Sequence, residues 1–205
     1  MPELENDDLL TQFSNTAKPQ LRVYEPAERV VVVGAGRAAA LDVELAATAA
    51  AAVPVRRRRG GGGTVLLTPG QVVVALVTEV DHPFHNREYA RTINDWMIES
   101  FRALGVTTVD HRGISDLGVG ERKIVGTSIF RRRRILFYQA SVLVENDIDE
   151  FERFLRMPGI VPDYRQGRSH LQFCTTLREA GYDGRAQDVV ARLQREMGIR
   201  MGTLQ

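Results

Sequence analysis

Cysteine and lysine are nearly missing from this 205-residue sequence. A single cysteine, Cys174, excludes an intramolecular disulfide framework. The first residues are acidic, and no basic stretch leads into an apolar core, so no secretory leader is expected and the cytoplasm is the expected compartment. Long apolar runs are also lacking. Residues 30–33 and 72–77 are strand-sized and far below the roughly 20 residues that a helix needs to cross a bilayer. The formal charge is only +1, which gives no global attraction to nucleic acid. What remains is ordinary for a soluble globular chain, with 43% apolar and 26% charged residues. No linker-like stretch divides it, and the length suffices for one core.

Of 27 basic residues only Lys18 and Lys123 are lysines. Most positions needing a generic positive charge are therefore arginine, and Lys123, in Arg122-Lys123-Ile124-Val125-Gly126, invites a chemical explanation. An ammonium is a point charge that can follow charge moving from carboxylate to phosphate, whereas a guanidinium is a planar fork suited to fixed bidentate contacts. The plainer alternative is an arginine-biased composition that leaves Lys123 as a surface charge.

Glycine is concentrated in Arg57-Arg58-Arg59-Gly60-Gly61-Gly62-Gly63-Thr64-Val65. Backbone amides in such a run can converge on phosphate oxygens because no side chain blocks the approach. On composition alone the run equally suits a flexible hairpin loop. Three other motifs are weaker. Val33-Gly34-Ala35-Gly36-Arg37-Ala38-Ala39 has the glycine spacing of a dinucleotide fingerprint, but no ribose-binding acid stands near Pro54 and no regular βαβ series follows, so a tight strand-to-helix turn is expected. The six-residue glycine spacing from Gly113 to Gly118 is that of a P-loop, yet Val119 and Gly120 stand where Lys and Ser or Thr are required. His82 and His85 are spaced like a metal pair but lack further ligands, which favours a solvated loop. The arginines at 131–134 suit a solvated hairpin turn or contact with an acidic acceptor domain or nucleotide phosphate, and Glu145, Asp147, Asp149, Glu150 and Glu152 suit an exposed helix start.

Taken in order, Arg57-Arg58, Gly61-Gly62-Gly63, Gly113-Ile114-Ser115-Asp116-Leu117 and Lys123-Ile124-Val125-Gly126-Thr127-Ser128 resemble the lipoate-protein ligase and octanoyltransferase family, which shares its fold with biotin ligases. The resemblance covers about residues 20 to 180 and implies an α+β, class II synthetase-like catalytic domain with a largely antiparallel sheet flanked by helices. It implies ATP, Mg2+ and lipoate or octanoate as ligands, and a lipoyl-acceptor domain as partner. Lys123 takes the place of the lysine that faces the acyl adenylate. Arg58, Gly61, Gly62, Gly63, Thr64, Ser115, Asp116, Gly126 and Thr127 become the binding residues, with Asp116 also the metal ligand. Ser115 stands where the ligases carry asparagine. Leu67 replaces one family histidine, and residues of Tyr138-Gln139-Ala140-Ser141 replace another. Thr68-Pro69-Gly70-Gln71 is similar to the octanoyltransferase Gly-Pro-Gly-Gln element instead. Cys174 lies 51 residues after Lys123, whereas the octanoyltransferase nucleophile follows the lysine by some three dozen, so Cys174 is expected to be a buried small hydrophobe. An octanoyltransferase using Cys174 and a non-catalytic lipoyl-binding subunit are the alternatives. Residues 1–20 are expected as an arm and 21–205 as the catalytic domain, without the accessory domain of longer ligases, which a second polypeptide could supply.

Periodicity predicts the elements. Residues 30–33 read as a strand, 39–52 as an alanine-rich helix ended by Pro54, and 64–67 with 71–78 as an antiparallel pair about the Pro69-Gly70 turn. Tyr89, Ile93, Met97, Phe101 and Leu104 mark a helix over 86–104, and Gly105 stops it. Strands are expected over 123–130 and 135–144, and helices over 149–155 and 185–197. The acyl tail needs an apolar channel, for which Val72, Val74 and Leu76 or their alternates are candidates.

Overall fold

A computed structural model describes residues 5–82 and 84–204. In the N-terminal twenty residues, helix α1 (Asp8–Thr16) buries Leu9 and Phe13 and ends where Ala17 turns left-handed and its amide donates to the Phe13 carbonyl. Strand β1 (Gln20–Tyr24) follows, then β2 (Val30–Val33). The alanine-rich stretch is not one helix. It forms α2 (Ala39–Asp42) and α3 (Leu45–Ala50), separated by an extended Val43 that is fully buried and bridges Leu155. Alanine propensity favours an unbroken helix, but burying a β-branched side chain between sheet and helix is worth more than one turn of helix hydrogen bonds.

Strands β3 (Val55–Arg57) and β4 (Val65–Leu67) flank β2, parallel and antiparallel respectively, in a small sheet of order β3-β2-β4. Next comes β5 (Gln71–Glu79). The expected β4–β5 hairpin does not form, because the turn hands the chain from the small sheet to the large one, where β5 lies between β1 and the later strand β9 (Ile135–Leu143). Eight of the nine β5 residues are buried, so the strand needs a neighbour on each edge and packing on both faces, and a local turn cannot override that demand.

Helix α4 (Asn86–Ala103) matches its predicted stripe, and Gly105 provides the left-handed residue beyond it. Strands β6 (Val109–Arg112), β7 (Asp116–Val119) and β8 (Arg122–Arg132) then complete an antiparallel six-stranded sheet of order β1-β5-β9-β8-β7-β6. The short helices α5 (Asp149–Phe154) and α6 (His170–Phe173) cover the small sheet's core, and α7 (Ala186–Arg200) packs on α4 and β1. The α+β, class II synthetase-like architecture expected from the sequence is the one observed.

The two faces of the large sheet differ. Val72, Val74, Leu76, Tyr138, Ala140 and Val142 pack against α4 and α7 in the main core. On the other face Val73 meets Val32 and Leu67 of the small sheet, while Ala75, Val77 and Phe137 meet α1. Among the described residues no helix is long and apolar enough to cross a membrane.

Candidate active site

The connection from β3 to β4 is the glycine run, and its shape is set from beneath by Arg58. This guanidinium donates to the carbonyls of Gly61 (2.6 Å), Gly63 (2.6 Å) and Val32 (3.3 Å) and to Ser128 Oγ (3.1 Å). Gly61, Gly62 and Gly63 are exposed, and among the described residues their amides donate to no protein acceptor. Arg58 itself is 6% exposed, and burial pulls its pKa down to about 10 with no carboxylate beside it. Among the described residues no carboxylate pairs with this buried cation, so the glycine run above it is a site of positive potential.

Lys123 reaches the same region through an irregularity in the sheet. Between β7 and β8 the register shifts, Leu117 facing Val125 while Gly118 faces Lys123, so Ile124 is an extra residue on β8. Strict alternation would turn Lys123 with Val125 toward the helices; the bulge turns it to the face shared by Gly126 and Ser128. There the lysine chain lies over Gly126, where a Cβ would come within 3.0 Å of both Cε and Nζ. The next residue, Thr127, has its carbonyl oxygen 3.8 Å from where a Gly62 Cβ would stand. Loop and ammonium therefore flank one short stretch of β8.

Asp116 completes the group. Its Oδ1 is 2.8 Å from Lys123 Nζ, and its Oδ2 accepts from the Tyr164 hydroxyl at 2.8 Å. The preceding Ser115 contributes its carbonyl, which accepts from Thr127 Oγ1 (2.9 Å) and from Asn94 Nδ2 (3.0 Å), while Asn94 Oδ1 accepts from the fully buried Tyr138 hydroxyl (2.6 Å). Thr64, at the end of the glycine run, donates its hydroxyl to buried Asp42 at 2.7 Å. Of the ten residues singled out from the sequence, nine lie on β7, β8 and the glycine connection, and Ser115 immediately precedes β7. Thr64, Ser115 and Thr127 have their side-chain or carbonyl groups engaged in holding these elements together.

Sequence reasoning missed Asp42, Asn94 and Tyr164. Asn94 carries a legible signal, a polar residue beside the apolar stripe of α4, and Asp42 is one of two acids, with Glu44, in an alanine-rich stretch. Tyr164 has none, since a 48-residue separation from Asp116 conceals the contact. Gln139, in the stretch 138–141, is buried and pairs in register with both Ser128 and Ala75 on the site face.

Cys174 is 7% exposed within the apolar cluster of Phe154, Leu155 and Phe173, and its backbone forms a parallel bridge with Lys123. Burial raises the thiol's pKa, and the charges of Lys123 and Arg165 oppose that shift only in part. The arginines at 131–134 are remote from this group. They lie eight or more residues along β8 from Lys123, roughly 26 Å at strand rise, where Arg131 binds Asn86 and stacks on Tyr89 and Arg134 pairs with Asp81. His82 and His85 stack on one another with ring centres 4.9 Å apart.

A family model, that of the lipoyl protein ligase A/B catalytic domain, matches residues 3–198. The chain belongs to this family. Its fold agrees with solved lipoate ligases. The bi-partite lipoate protein ligase of Thermoplasma acidophilum, studied with its E2 lipoyl domain, superposes with a TM-score of 0.81 at 22% identity over 98% of this chain and 81% of that one. A putative lipoate protein ligase of T. acidophilum with bound lipoic acid gives 0.76 at 22% over 98% and 83%. Lipoate-protein ligase A bound with ATP gives 0.78 at 23% over 96% and 78%. At such identities the likeness concerns the fold. No curated protein sequence matches the chain. The lipoyl ligase catalytic domain described by the family is therefore carried here on a frame whose glycine connection and lysine strand meet at one place.

Among the described residues no group of three or more His, Cys, Asp or Glu side chains gathers as a metal site. Asp116 is a single carboxylate with both oxygens engaged. Among the described residues Asp116 alone does not form a magnesium cage.

Proposed function

We propose that this ligase-family domain activates lipoate with Mg-ATP and transfers the lipoyl group to a lysine of an acceptor domain. The observation that carries the reading is that Lys123 and the exposed glycine run flank one stretch of β8, Gly126 and Thr127, with the buried guanidinium of Arg58 beneath the run. In the first step a lipoate carboxylate oxygen attacks the α-phosphate, and the bond to the pyrophosphate leaves with its electron pair, giving lipoyl adenylate. In the second, the acceptor amine attacks the acyl carbon, AMP leaves with the carbon–oxygen electron pair, and the amine loses a proton. Both transition states move negative charge between carboxylate and phosphate oxygens. The amides of Gly61, Gly62 and Gly63 are fixed before the ligand arrives, and such preorganised donors contribute about 3 kcal/mol each. Lys123, as a mobile point charge released from Asp116, neutralises the oxygens in both steps.

Arg58 serves this chemistry from below the loop, by shaping it and by its charge, and its guanidinium is engaged by the loop's own carbonyls. The acyl tail is assigned to the sheet face that Val73 and Ala75 share with Gly126 and Ser128, entering beside the small sheet and α1 that pack on these two residues, because Val72, Val74 and Leu76 lie in the helical core on the opposite face. The acceptor is a lipoyl domain, the partner chemistry that the bi-partite archaeal ligase is studied with, and a separate accessory polypeptide belongs to the same reading. Lipoate-dependent exchange of radiolabelled pyrophosphate into ATP is the test. Exchange is expected from the purified chain, with or without an accessory chain added; its complete absence in both conditions refutes adenylation.

One observation favours a second reading, transfer from an octanoyl carrier protein through a thioester. Cys174 bridges Lys123. The buried, raised thiol argues against it, and an octanoyl adduct on Cys174 by mass spectrometry without ATP would establish it.

A further inference from the structure

The segment from Val33 through Asp42, which carries the glycine-bearing turn, is built against the glycine loop at three points. Ala35 N–H donates to the Gly60 carbonyl at 3.0 Å. Gly34 lies under Gly62, where a Cβ would stand 2.2 Å from the Gly62 oxygen, so only glycine permits the approach. Asp42 Oδ2 accepts the Thr64 hydroxyl at 2.7 Å. The grips fall at the start, middle and end of the loop.

The turn that makes these grips is itself fixed by two arginines. One Arg57 nitrogen, Nη1, donates to the carbonyls of Gly34 (2.8 Å), Ala35 (3.1 Å) and Arg37 (2.9 Å). Arg37 holds both oxygens of Asp42, at 2.8 and 2.5 Å, which aims the carboxylate and neutralises its buried charge. Asp42 is 1% exposed, and its side-chain bonds go to Arg37 and Thr64. A carboxylate so committed connects the turn to the loop.

We propose that residues 34–42 are a clasp that holds the glycine loop in its ligand-binding shape, with Asp42 the positioning residue acting through Thr64. The inference rests on the adenylating reading for its kinetic consequence and on geometry for its structural one. A run of glycines loses more conformational freedom on ordering than any other sequence. With the clasp, folding meets that cost before the ligand arrives; without it, binding does. Release of the clasp should therefore raise KM while leaving the bound loop competent for the chemical step.

Thr64→Val keeps the shape and removes the hydroxyl, Thr64→Ser keeps the hydroxyl, and Gly34→Ala forces the loop away. Pyrophosphate exchange with lipoate and Mg-ATP gives KM and kcat, and hydrogen exchange of the Ala35 amide reports the loop's attachment without any activity. In Thr64→Val the KM for ATP should rise about tenfold, the loss of one hydrogen bond to a charged group, with kcat within about threefold of wild type. The Ala35 amide should exchange faster, and Thr64→Ser should restore both. Gly34→Ala should shift the same two readouts in the same direction. Wild-type KM and Ala35 exchange in Thr64→Val would overturn the clasp. If the wild-type chain performs no exchange, the adenylating reading fails, and Ala35 protection in Thr64→Val and Gly34→Ala decides the clasp by itself.

Discussion

At Lys123, one extra residue in a strand decides which way a side chain faces. The bulge at Ile124 is invisible in sequence, because a run of Lys, Ile, Val and Gly reads as regular β-strand, and only pairing with β7 reveals the shift. Composition singled out Lys123; its orientation was not legible there. Lys123→Ala should lower lipoate-dependent pyrophosphate exchange by about 10²–10³ with little change in melting temperature, since the side chain serves charge stabilisation and not the core. Lys123→Arg should fail similarly, because a planar fork cannot sit in the space over Gly126 and follow the moving charge. Exchange in Lys123→Ala above about a tenth of wild type would remove it from the mechanism. Cys174 makes the opposite case. Burial raises its pKa, so at neutral pH it remains a thiol, and alkylation by iodoacetamide should be at least about tenfold slower in the folded protein than in denaturant. Cys174→Ser should keep ATP-dependent lipoylation, at some loss of stability from a hydroxyl in an apolar site.

The glycine connection shows how an element's function depends on which way its carbonyls point. Arg58 draws the carbonyls of Gly61 and Gly63 inward, which the sequence suggests only as a general pairing of arginine with glycines. A β-carbon at Gly63 would meet no protein atom within 4 Å, whereas Gly62 has a φ of +88°. Gly63→Ala should therefore leave the melting temperature unchanged and weaken binding of a non-hydrolysable lipoyl-adenylate analogue in titration calorimetry. Gly62→Val should lose both binding and loop order, since a β-branched residue is strained there. Undiminished affinity in both variants would put the ligand elsewhere. Sequence reading located this loop because its composition is extreme. It failed at the β4–β5 hairpin and at the single 39–52 helix for a shared reason. Turn length and alanine content are local signals, and both were overridden by burial, of β5 on two edges and of Val43 between sheet and helix.

For the molecule as a whole, α4 and α7 were readable because each buries one regular face, and β8 and β9 because their apolar runs flank the arginines at 131–134, while the division into two sheets was not, because nothing local says which strands share a ladder. The same limit applied to the first twenty residues, for which polar composition gave the expectation of an arm. In the structure α1 closes the sheet face opposite α4 and α7, with Leu9 and Phe13 packed on Ala75, Val77 and Phe137. These side chains fill the part of the face that continues from Val73 and Ala75, the surface to which the acyl tail is assigned above. Phe13→Ala should thus have two effects that a surface substitution would not. Stability should fall by about 3 kcal/mol, the usual cost of deleting a buried phenyl ring, measured by urea denaturation. The vacated volume should also open the end of the apolar face, so the KM for lipoate should shift more than the KM for ATP. Loss of stability with both KM values unchanged would mean that α1 only seals the sheet. A rise confined to the ATP KM would move the acyl channel away from Ala75.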